Sequence, residues 1–245
     1  MTQYGLIGKS LRHSFSPAYF ARKFAAEGLS CEYAAFELES INLLPGVLEA
    51  HPLLKGLNVT IPYKESVMDF LEETDEAAAA IGAVNCISID KGKLKGFNTD
   101  WLGFARSAES LLPGGSREGL KALVFGTGGA SKGVRYALDS MGIPYLTVSR
   151  GGGGDLRYAD LDVPLLQDYL LLVNTTPVGM YPQVEAQLPI PLAGITPSHM
   201  LYDLIYNPET TAFMRAGLEK GAAVKNGLEM LYIQAEESWK IWQYC

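Results

Sequence analysis

The sequence contains few cysteines and histidines, which limits the kinds of site it can build. Its three cysteines are widely separated: Cys31, Cys86 and Cys245. An odd number at this spacing fits neither a disulfide scaffold nor a metal-binding pattern. The three histidines, His13, His51 and His199, also lack the spacing of metal ligands, so we predict no metal site. A protein of this kind fits the reducing cytoplasm, where we expect it.

Long apolar runs and an excess of positive charge are also missing. The longest apolar runs, such as residues 169–173, have the length of a strand and not that of a membrane-spanning helix. The N-terminus has no basic segment followed by an apolar stretch, so we predict no signal peptide. The formal net charge is -7, which argues against nonspecific binding of nucleic acid. We therefore expect neither a membrane nor a nucleic acid as a partner.

Short apolar strands alternate with helical segments along the 245 residues, which suffice for one large domain or two modest ones. The first hundred residues predict a mixed α/β domain. Its predicted strands are residues 4–8, 31–36, 57–60, 84–89 and 93–97, with a Lys91-Gly92 turn between the last two. Its predicted helices are one capped by Ser16 with Pro17 at the first position, then residues 63–71 and 76–81.

The second half predicts a parallel, doubly wound sheet, because strands and helices alternate regularly. The predicted strands are residues 120–125, 145–149, 170–174 and 200–206. The predicted helices are residues 100–112 with an Asp cap, 131–141, 210–220 and 228–242. Residues 112–116 form the clearest loop signal between the two halves.

A glycine-rich turn joins a predicted strand to a helix in the second half. It comprises Gly126, Thr127, Gly128, Gly129 and Ala130. Glycines let the backbone approach a pyrophosphate, which the N–H groups at the helix start can bind. The spacing departs from the strict G-x-G-x-x-G pattern, since Ser131 stands where the third glycine would fall. Such a turn can also be purely structural, so alone it leaves both roles open.

The next predicted strand ends in Ser149 and Arg150, where the residue that distinguishes NAD from NADP is expected. An Asp or Glu there would bind a ribose hydroxyl, whereas an arginine suits a 2′-phosphate. Arg150 therefore favours NADP, and the Ser149 hydroxyl could contact the same phosphate. The alternative is a solvated arginine at a strand end, followed by the loop of residues 151–154.

Several polar residues of the first half fall at predicted strand ends and loops: Ser14, Ser16, Asn58, Thr60, Lys64, Asn85, Asn98, Thr99 and Asp100. Each has a structural alternative, such as helix capping by Ser16 or Asp100. Together they offer hydroxyls suited to a carboxylate, amides suited to hydroxyl groups, and a Lys/Asp pair suited to proton transfer.

Taken in order, these segments resemble the shikimate dehydrogenase family along nearly the whole chain. The matching segments are His13-Ser14-Phe15-Ser16-Pro17, Asn58-Val59-Thr60-Ile61-Pro62-Tyr63-Lys64, Gly82-Ala83-Val84-Asn85, Gly96-Phe97-Asn98-Thr99-Asp100, Gly126-Thr127-Gly128-Gly129-Ala130, Asn174-Thr175-Thr176-Pro177-Val178-Gly179-Met180, Tyr202-Asp203-Leu204-Ile205-Tyr206-Asn207-Pro208, and Asn226-Gly227-Leu228-Glu229-Met230-Leu231 with Gln234-Ala235. Their common order is far more specific than any one segment.

The resemblance implies an NADP-dependent enzyme that interconverts 3-dehydroshikimate and shikimate in the biosynthesis of chorismate and aromatic amino acids. It implies an α/β fold of two domains: a substrate domain of residues 1–100 and 228–245, and a Rossmann-like NADP-binding domain of residues 101–227. It leaves open whether the protein is a monomer or a homodimer.

The resemblance also implies roles for particular residues. Lys64 and Asp100 would form the catalytic pair. The residues implied in substrate binding are Ser14 and Ser16 for the carboxylate, Asn58, Thr60, Asn85, Asp100 and Gln234 for the ring hydroxyls, and Tyr206. The glycine turn would hold the cofactor pyrophosphate, and Thr176, Met180 and Gly227 would lie near the nicotinamide.

The sequence departs from the family pattern where the cofactor ribose would bind. Family members usually carry Asn-Arg-Thr there, and this chain has Ser149-Arg150-Gly151. One threonine hydroxyl is therefore lost, and Thr127 replaces the usual alanine of the glycine turn. Three alternatives stay open: a quinate/shikimate dehydrogenase that prefers NAD, a dinucleotide-binding sensor without turnover, and another two-domain dehydrogenase such as one acting on folate-linked carbon units.

Overall fold

The computed structural model describes residues 1–12, 14–112 and 117–244. The chain forms two compact units: unit 1 is Met1–Thr99 with Gln234–Cys245, and unit 2 is Asp100–Ile233. Most of the predicted loop at residues 112–116 lies outside the described residues, as does His13. No helix within the described ranges is long and apolar enough to cross a membrane.

Unit 1 contains a six-stranded sheet with the order β2-β1-β3-β5-β6-β4. Its strands are β1 (Thr2–Gly8), β2 (Cys31–Glu37), β3 (Leu54–Val59), β4 (Glu73–Thr74), β5 (Cys86–Asp90) and β6 (Lys93–Phe97). Strand β1 runs parallel to β2 and β3, whereas β5 is antiparallel to β3 and β6. The mixed α/β architecture predicted for the first half is therefore confirmed.

Aromatic side chains fill one face of this sheet. The helices of unit 1 are α1 (Phe15–Ala26), α2 (Leu44–Ala50), α3 (Glu76–Ile81) and the second part of α8 (Leu228–Tyr244). Tyr4, Phe20, Phe24 and Trp242 are buried together between β1, α1 and α8. The Trp242 indole Nε1 also donates a hydrogen bond of 3.0 Å to the carbonyl of Ile87. This cluster attaches the end of the chain to the first hundred residues.

Two predicted helices of unit 1 differ in the structure. Helix α1 begins at Phe15 with Ser14 as its N-cap residue, so Ser16 lies inside the first turn and not at the cap. Residues 63–71 do not form an α-helix, and a short 3₁₀ helix covers Ser66–Phe70. The Lys64 carbonyl accepts a hydrogen bond from the Val84 N–H, so the Met68 N–H bonds instead to the Glu65 carbonyl, as in a 3₁₀ turn.

Unit 2 contains a second six-stranded sheet, with the order β12-β11-β10-β7-β8-β9. Its strands are β7 (Ala122–Phe125), β8 (Tyr145–Ser149), β9 (Leu156–Arg157), β10 (Leu171–Asn174), β11 (Met200–Asp203) and β12 (Ala223–Asn226). Every paired strand is parallel. This is the strand order of a Rossmann fold, which reverses between β7 and β10. The doubly wound prediction is confirmed, although β9 and β12 were not predicted.

The helices of unit 2 are α4 (Asp100–Ala108), α5 (Gly129–Ser140), α6 (Val163–Asp168), α7 (Ala212–Glu219) and the first part of α8. Asp100 is the first residue of α4, and α4 is shorter than predicted. Strand β11 ends at Asp203, three residues before the predicted end, because the Ile205 N–H bonds to the Asp203 side chain and not to a neighbouring strand.

Helix α8 is divided between the two units, so the predicted boundary at residue 228 differs from the observed one. Met230 packs in the core of unit 2 with Phe104 and Tyr202. Ala235 and Trp242 pack in the aromatic cluster of unit 1. The change of core along one continuous helix explains why the division follows Ile233.

Candidate active site

Unit 1 holds a network of buried polar side chains at the end of β3. Asn58, 3% exposed, lies there with its amide fully bonded. Its Oδ1 accepts a hydrogen bond of 2.8 Å from the Tyr33 hydroxyl, and its Nδ2 donates to Ser238 Oγ at 2.9 Å and to the Asn85 carbonyl at 3.2 Å. Ser16 bonds to the same tyrosine, whose pKa burial raises. These contacts fix the amide of Asn58.

The second half of the network surrounds Asn85, which is 2% exposed. Its Oδ1 accepts a hydrogen bond of 2.6 Å from the Thr99 N–H, and its Nδ2 lies 3.5 Å from Gln234 Oε1. The Thr99 hydroxyl donates to the Gln234 carbonyl at 3.0 Å. Strands β5 and β6 and helix α8 thus bring together three residues that are far apart in the sequence.

The other candidates of unit 1 lie closer to solvent. Ser14, Thr60 and Lys64 are all partly exposed. Thr60 directly follows β3, and its N–H donates a hydrogen bond of 2.9 Å to the Ile7 carbonyl. Lys64 lies in the loop after β3, where its carbonyl accepts from Val84 at 2.7 Å. The predicted set therefore comprises three buried amides and a more exposed group of hydroxyls with one ammonium.

Sequence reasoning missed two members of this network, Tyr33 and Ser238. A signal for Ser238 exists, since it follows Gln234 by one helical turn and so shares a face of α8 with it. Tyr33 lies in β2 between Glu32 and Ala34, and only its hydrogen-bond partner, which is distant in the sequence, reveals its role.

Unit 2 contains a cavity of about 740 Å³ at the carboxyl ends of β7, β8 and β10. Its walls come from the glycine turn, from residues 148–153 and from residues 175–181, with Tyr158 and a few residues up to Pro189. It lies where the strand order reverses, which is the ligand-binding position of open α/β sheets. The site residues that line it are Gly126, Thr127, Gly128, Ser149, Arg150, Thr176 and Met180.

Within the glycine turn, close approach of the neighbouring chain requires a glycine at position 126. Gly126 has a φ of +112°, and a Cβ there would lie 2.6 Å from Thr175 Oγ1 and 3.0 Å from Thr176 Cγ2. Gly128 is the N-cap residue of α5, which begins with Gly129 and Ala130. A helix of this length presents N–H groups and a positive dipole end to the cavity, which suits a pyrophosphate.

The end of β8 carries a positive charge and no carboxylate. Arg150 is exposed at the cavity wall, and no Asp or Glu is found among the described residues that line it. Ser149 is buried, and its hydroxyl donates to the Gly151 carbonyl. The cavity therefore fits a ligand with a phosphate beside β8, and the Ser149 hydroxyl has an internal partner.

Five predicted residues of unit 2 lie outside the described lining of this cavity: Gly129 and Ala130 at the start of α5, and Gly227, Tyr206 and Asp100. Gly227 packs against the backbone of Leu204, where a Cβ would lie 2.1 Å from the carbonyl oxygen, so its glycine is needed for packing. Tyr206 is partly exposed after β11, and burial raises its pKa. Asp100 opens α4 directly after Thr99.

A Rossmann-type sheet with a glycine turn, a charged strand end and a cavity at the switch point is characteristic of dinucleotide-binding proteins. Residues 6–87 match the family described as shikimate dehydrogenase substrate binding domain. The Carboxydothermus hydrogenoformans protein named shikimate dehydrogenase (NADP(+)) is 38% identical over 97% of this chain and 90% of its own length. The chain belongs to the shikimate dehydrogenase family.

Solved structures of related enzymes match this fold over the whole length of the chain. The crystal structure of shikimate dehydrogenase from Aquifex aeolicus is 33% identical, with a TM-score of 0.88 over 100% of this chain and 93% of that one. Quinate dehydrogenase from Corynebacterium glutamicum in complex with NAD is 27% identical, with a TM-score of 0.87 over 100% of this chain and 94% of that one. The similarity thus extends to relatives with another substrate and cofactor.

Proposed function

We propose that the protein catalyses the reversible, NADPH-dependent reduction of 3-dehydroshikimate to shikimate. Membership of the family supports the reaction class, and the named relative from Carboxydothermus hydrogenoformans supports the substrate and cofactor. The observation on this chain that carries the cofactor choice is Arg150, at the end of β8 in a cavity whose described lining includes no carboxylate. We place the protein in the cytoplasm, with the NADPH that it consumes.

The residues of unit 2 fit NADP. We propose that the glycine turn and the first turn of α5 bind the pyrophosphate, and that Arg150 binds the 2′-phosphate. Thr176 and Met180 also line the cavity, and we assign them to the nicotinamide. A cofactor held by these residues would supply the hydride that the carbonyl carbon of the substrate receives.

The polar residues of unit 1 fit a carboxylate that carries ring hydroxyls. We propose that Ser14 and Ser16 bind the carboxylate, and that Thr60, Asn85 and Gln234 bind hydroxyl groups together with Tyr206. Asn58 has both amide hydrogens bonded within the protein, so we assign it to holding Asn85 and Ser238 in place.

Lys64 and Asp100 supply the proton chemistry in this proposal. Reduction converts the carbonyl oxygen into a hydroxyl, so one proton must reach that oxygen as the hydride reaches carbon. The Lys64 ammonium can donate this proton or stabilise the developing negative charge, and Asp100 can orient Lys64 and accept a hydrogen bond from the hydroxyl. In the oxidation direction the same pair removes the proton.

A second candidate, quinate dehydrogenase with NAD, has a specific observation in its favour. A structure of that activity matches this chain with a TM-score of 0.87, and Ser149-Arg150-Gly151 departs from the family's usual Asn-Arg-Thr. Quinate carries one ring hydroxyl more than shikimate, so the two activities are separable by substrate.

The deciding experiment is a set of initial rates with purified protein, monitored by the absorbance of the reduced nicotinamide. Shikimate and quinate are each offered with NADP and with NAD. We expect turnover with shikimate and NADP at a specificity constant well above the other three combinations. Preference for quinate or NAD favours the second candidate. No turnover with any pair, together with intact NADPH binding, favours a sensor and overturns the enzyme assignment.

A further inference from the structure

Two buried polar side chains meet at the edge of the unit 2 sheet that borders the cavity. Asn174 and Asp203 are the last residues of β10 and β11, and the strand register pairs them directly. Both are 0% exposed. The family resemblance gave neither of them a role, although each lies in a matching segment.

The amide of Asn174 is held at both ends. Its Nδ2 donates to Asp203 Oδ1 at 3.1 Å and to the Val178 carbonyl at 3.3 Å. Its Oδ1 accepts from the Thr176 N–H at 3.0 Å and from the Thr176 hydroxyl at 2.7 Å. An ionised carboxylate only accepts hydrogen bonds, so Asp203 determines that Nδ2 faces it and that Oδ1 faces Thr176.

The remaining lone pairs of Asp203 reach two further segments. Its Oδ1 also accepts from the Ile205 N–H at 3.0 Å, directly before Tyr206. Its Oδ2 accepts from the Thr211 hydroxyl at 2.6 Å, and Thr211 in turn caps α7. One carboxylate thus ties the cavity wall, the start of the Tyr206 segment and a helix end to the same strand.

A buried carboxylate lowers stability more than a neutral side chain would in a hydrogen-bond network with only a structural role. Burial raises the pKa of Asp203 to about 6, so its charge lowers stability at neutral pH. What the charge provides is a defined orientation of Asn174, and through it a defined wall at Thr176 and Val178, both of which line the cavity.

We propose that Asp203 is a positioning residue for the reaction. Through Asn174 it fixes the cavity wall against which the cofactor binds, and through Ile205 it fixes the segment that carries Tyr206. This inference rests on the proposed function, because it assigns the cavity to NADPH and Tyr206 to the substrate.

The test measures the NADPH dissociation constant by fluorescence titration and the KM for shikimate, both at pH 8 with the full chain. Because each variant loses buried hydrogen bonds, we expect Asn174→Ala to weaken NADPH binding about tenfold with a shikimate KM within about twofold of the unmodified value. Asp203→Ala should raise both constants about tenfold, since it also releases Ile205. Asp203→Asn keeps one oxygen for Asn174 and Ile205, and should restore both constants to within about threefold.

Tyr202→Phe is the matched control. It removes a buried hydrogen bond, to Ser107, from the residue next to Asp203, and Tyr202 packs in the core and not on the cavity wall. We expect a lower melting temperature and an unchanged NADPH dissociation constant. Equal weakening in Tyr202→Phe, or unchanged binding in Asn174→Ala, overturns the inference.

Two results separate this inference from the proposed function. If the unmodified protein does not bind NADPH, the proposed function fails and the inference fails with it. If it binds NADPH and the variants bind equally tightly, only the positioning role fails. Should Asp203→Ala not fold, Asn174→Ala and Asp203→Asn carry the test.

Discussion

Three hydrogen bonds join Thr147 and Asp155, which flank the loop that carries Arg150. The Asp155 carboxylate accepts hydrogen bonds from the Thr147 N–H at 2.8 Å and from its hydroxyl at 2.6 Å, and the Asp155 N–H donates back to Thr147 Oγ1 at 3.0 Å. Side-chain and backbone bonds from Thr147 lower the pKa of Asp155. The loop of residues 150–154, rich in glycine, therefore has a fixed base.

Asp155→Ala should lower the free energy of unfolding at pH 7 by about 1 kcal/mol, the usual contribution of a hydrogen-bonded group. Because the folded pKa lies below the unfolded value of 3.8, this stability is present above pH 4 and is lost as the pH falls through the folded pKa. Urea denaturation at pH 7 and pH 3 measures both effects. Asp168→Ala, at the end of α6, serves as the control. An equal loss of stability in that variant would show that the hydrogen bonds between Thr147 and Asp155 make no specific contribution.

Asp203 should show the opposite dependence on pH. Its folded pKa of about 6 exceeds the unfolded value of 3.8, so the folded state retains the proton between these values. The stability associated with neutral Asp203 is therefore complete below about pH 4 and falls as the pH rises to 6, by roughly 1.4 kcal/mol for each unit of pKa shift. Asp203→Asn should remove this slope. Unfolding curves at pH 4.5 and 7.5 test it, and parallel slopes in both proteins would refute the prediction.

Arg150→Ala should change the choice of cofactor. Loss of a charged hydrogen bond to a 2′-phosphate should weaken the binding of NADPH about tenfold to a hundredfold and should leave the binding of NADH nearly unchanged. The measurement is the ratio of kcat/KM for the two cofactors. Arg157→Ala, in β9 and outside the cavity lining, is the matched control. Equal losses for both cofactors would show that Arg150 does not read the phosphate.

Lys64→Ala should lower kcat by about a hundredfold to ten-thousandfold, the range for loss of a positioned acid or base, and should raise KM far less. Lys55→Ala removes an exposed lysine from the beginning of β3 and should leave both constants unchanged. Steady-state kinetics at saturating NADPH measure the effect. An unchanged kcat would exclude Lys64 from catalysis and leave Asp100 as the group to test.

Ser238→Ala should destabilise unit 1, because it leaves an amide hydrogen of Asn58 buried without its acceptor. We expect a loss of about 1 to 3 kcal/mol in the free energy of unfolding. The control is Ser140→Ala, whose partly buried hydroxyl donates only to a carbonyl of its own helix. Equal melting temperatures for the two variants would argue against the network.

Strong local signals explain the elements that were predicted well. The Lys91-Gly92 turn set the start of β6 at Lys93, and Asp75 caps α3, whose bounds agree with the prediction. Residues of the glycine turn and Arg150 line one cavity, because both follow strands whose carboxyl ends meet at one edge of a parallel sheet. Local sequence is therefore enough to predict that side chains lie close together when each of them follows a strand of the same parallel sheet.

Interactions between distant residues explain the remainder. Residues 63–71 have the spacing of a helix in the sequence. The Val84 N–H, which is distant in the sequence, occupies the Lys64 carbonyl, so that carbonyl does not accept the hydrogen bond of an α-helix. From the sequence, Asn58 has a side chain that could bind a substrate. Only its contacts with Tyr33 and Ser238 reveal that its amide group already bonds within the protein. Asp203 looks like an ordinary strand end until the three hydrogen-bond donors from Asn174, Ile205 and Thr211 are placed around it.

The hydrogen bond between Thr99 and Gln234 has a consequence for how this chain could be rebuilt. These residues are the points at which unit 1 leaves off and resumes, and the Thr99 hydroxyl donates to the Gln234 carbonyl at 3.0 Å. Unit 2 is therefore a continuous insert between two adjacent points, the arrangement that tolerates exchange of one module for another. A gene in which residues 100–233 are replaced by the matching segment of an NAD-dependent relative would exchange the cofactor-binding unit, with Asp100 and Tyr206, and would keep the network of Asn58, Asn85 and Gln234.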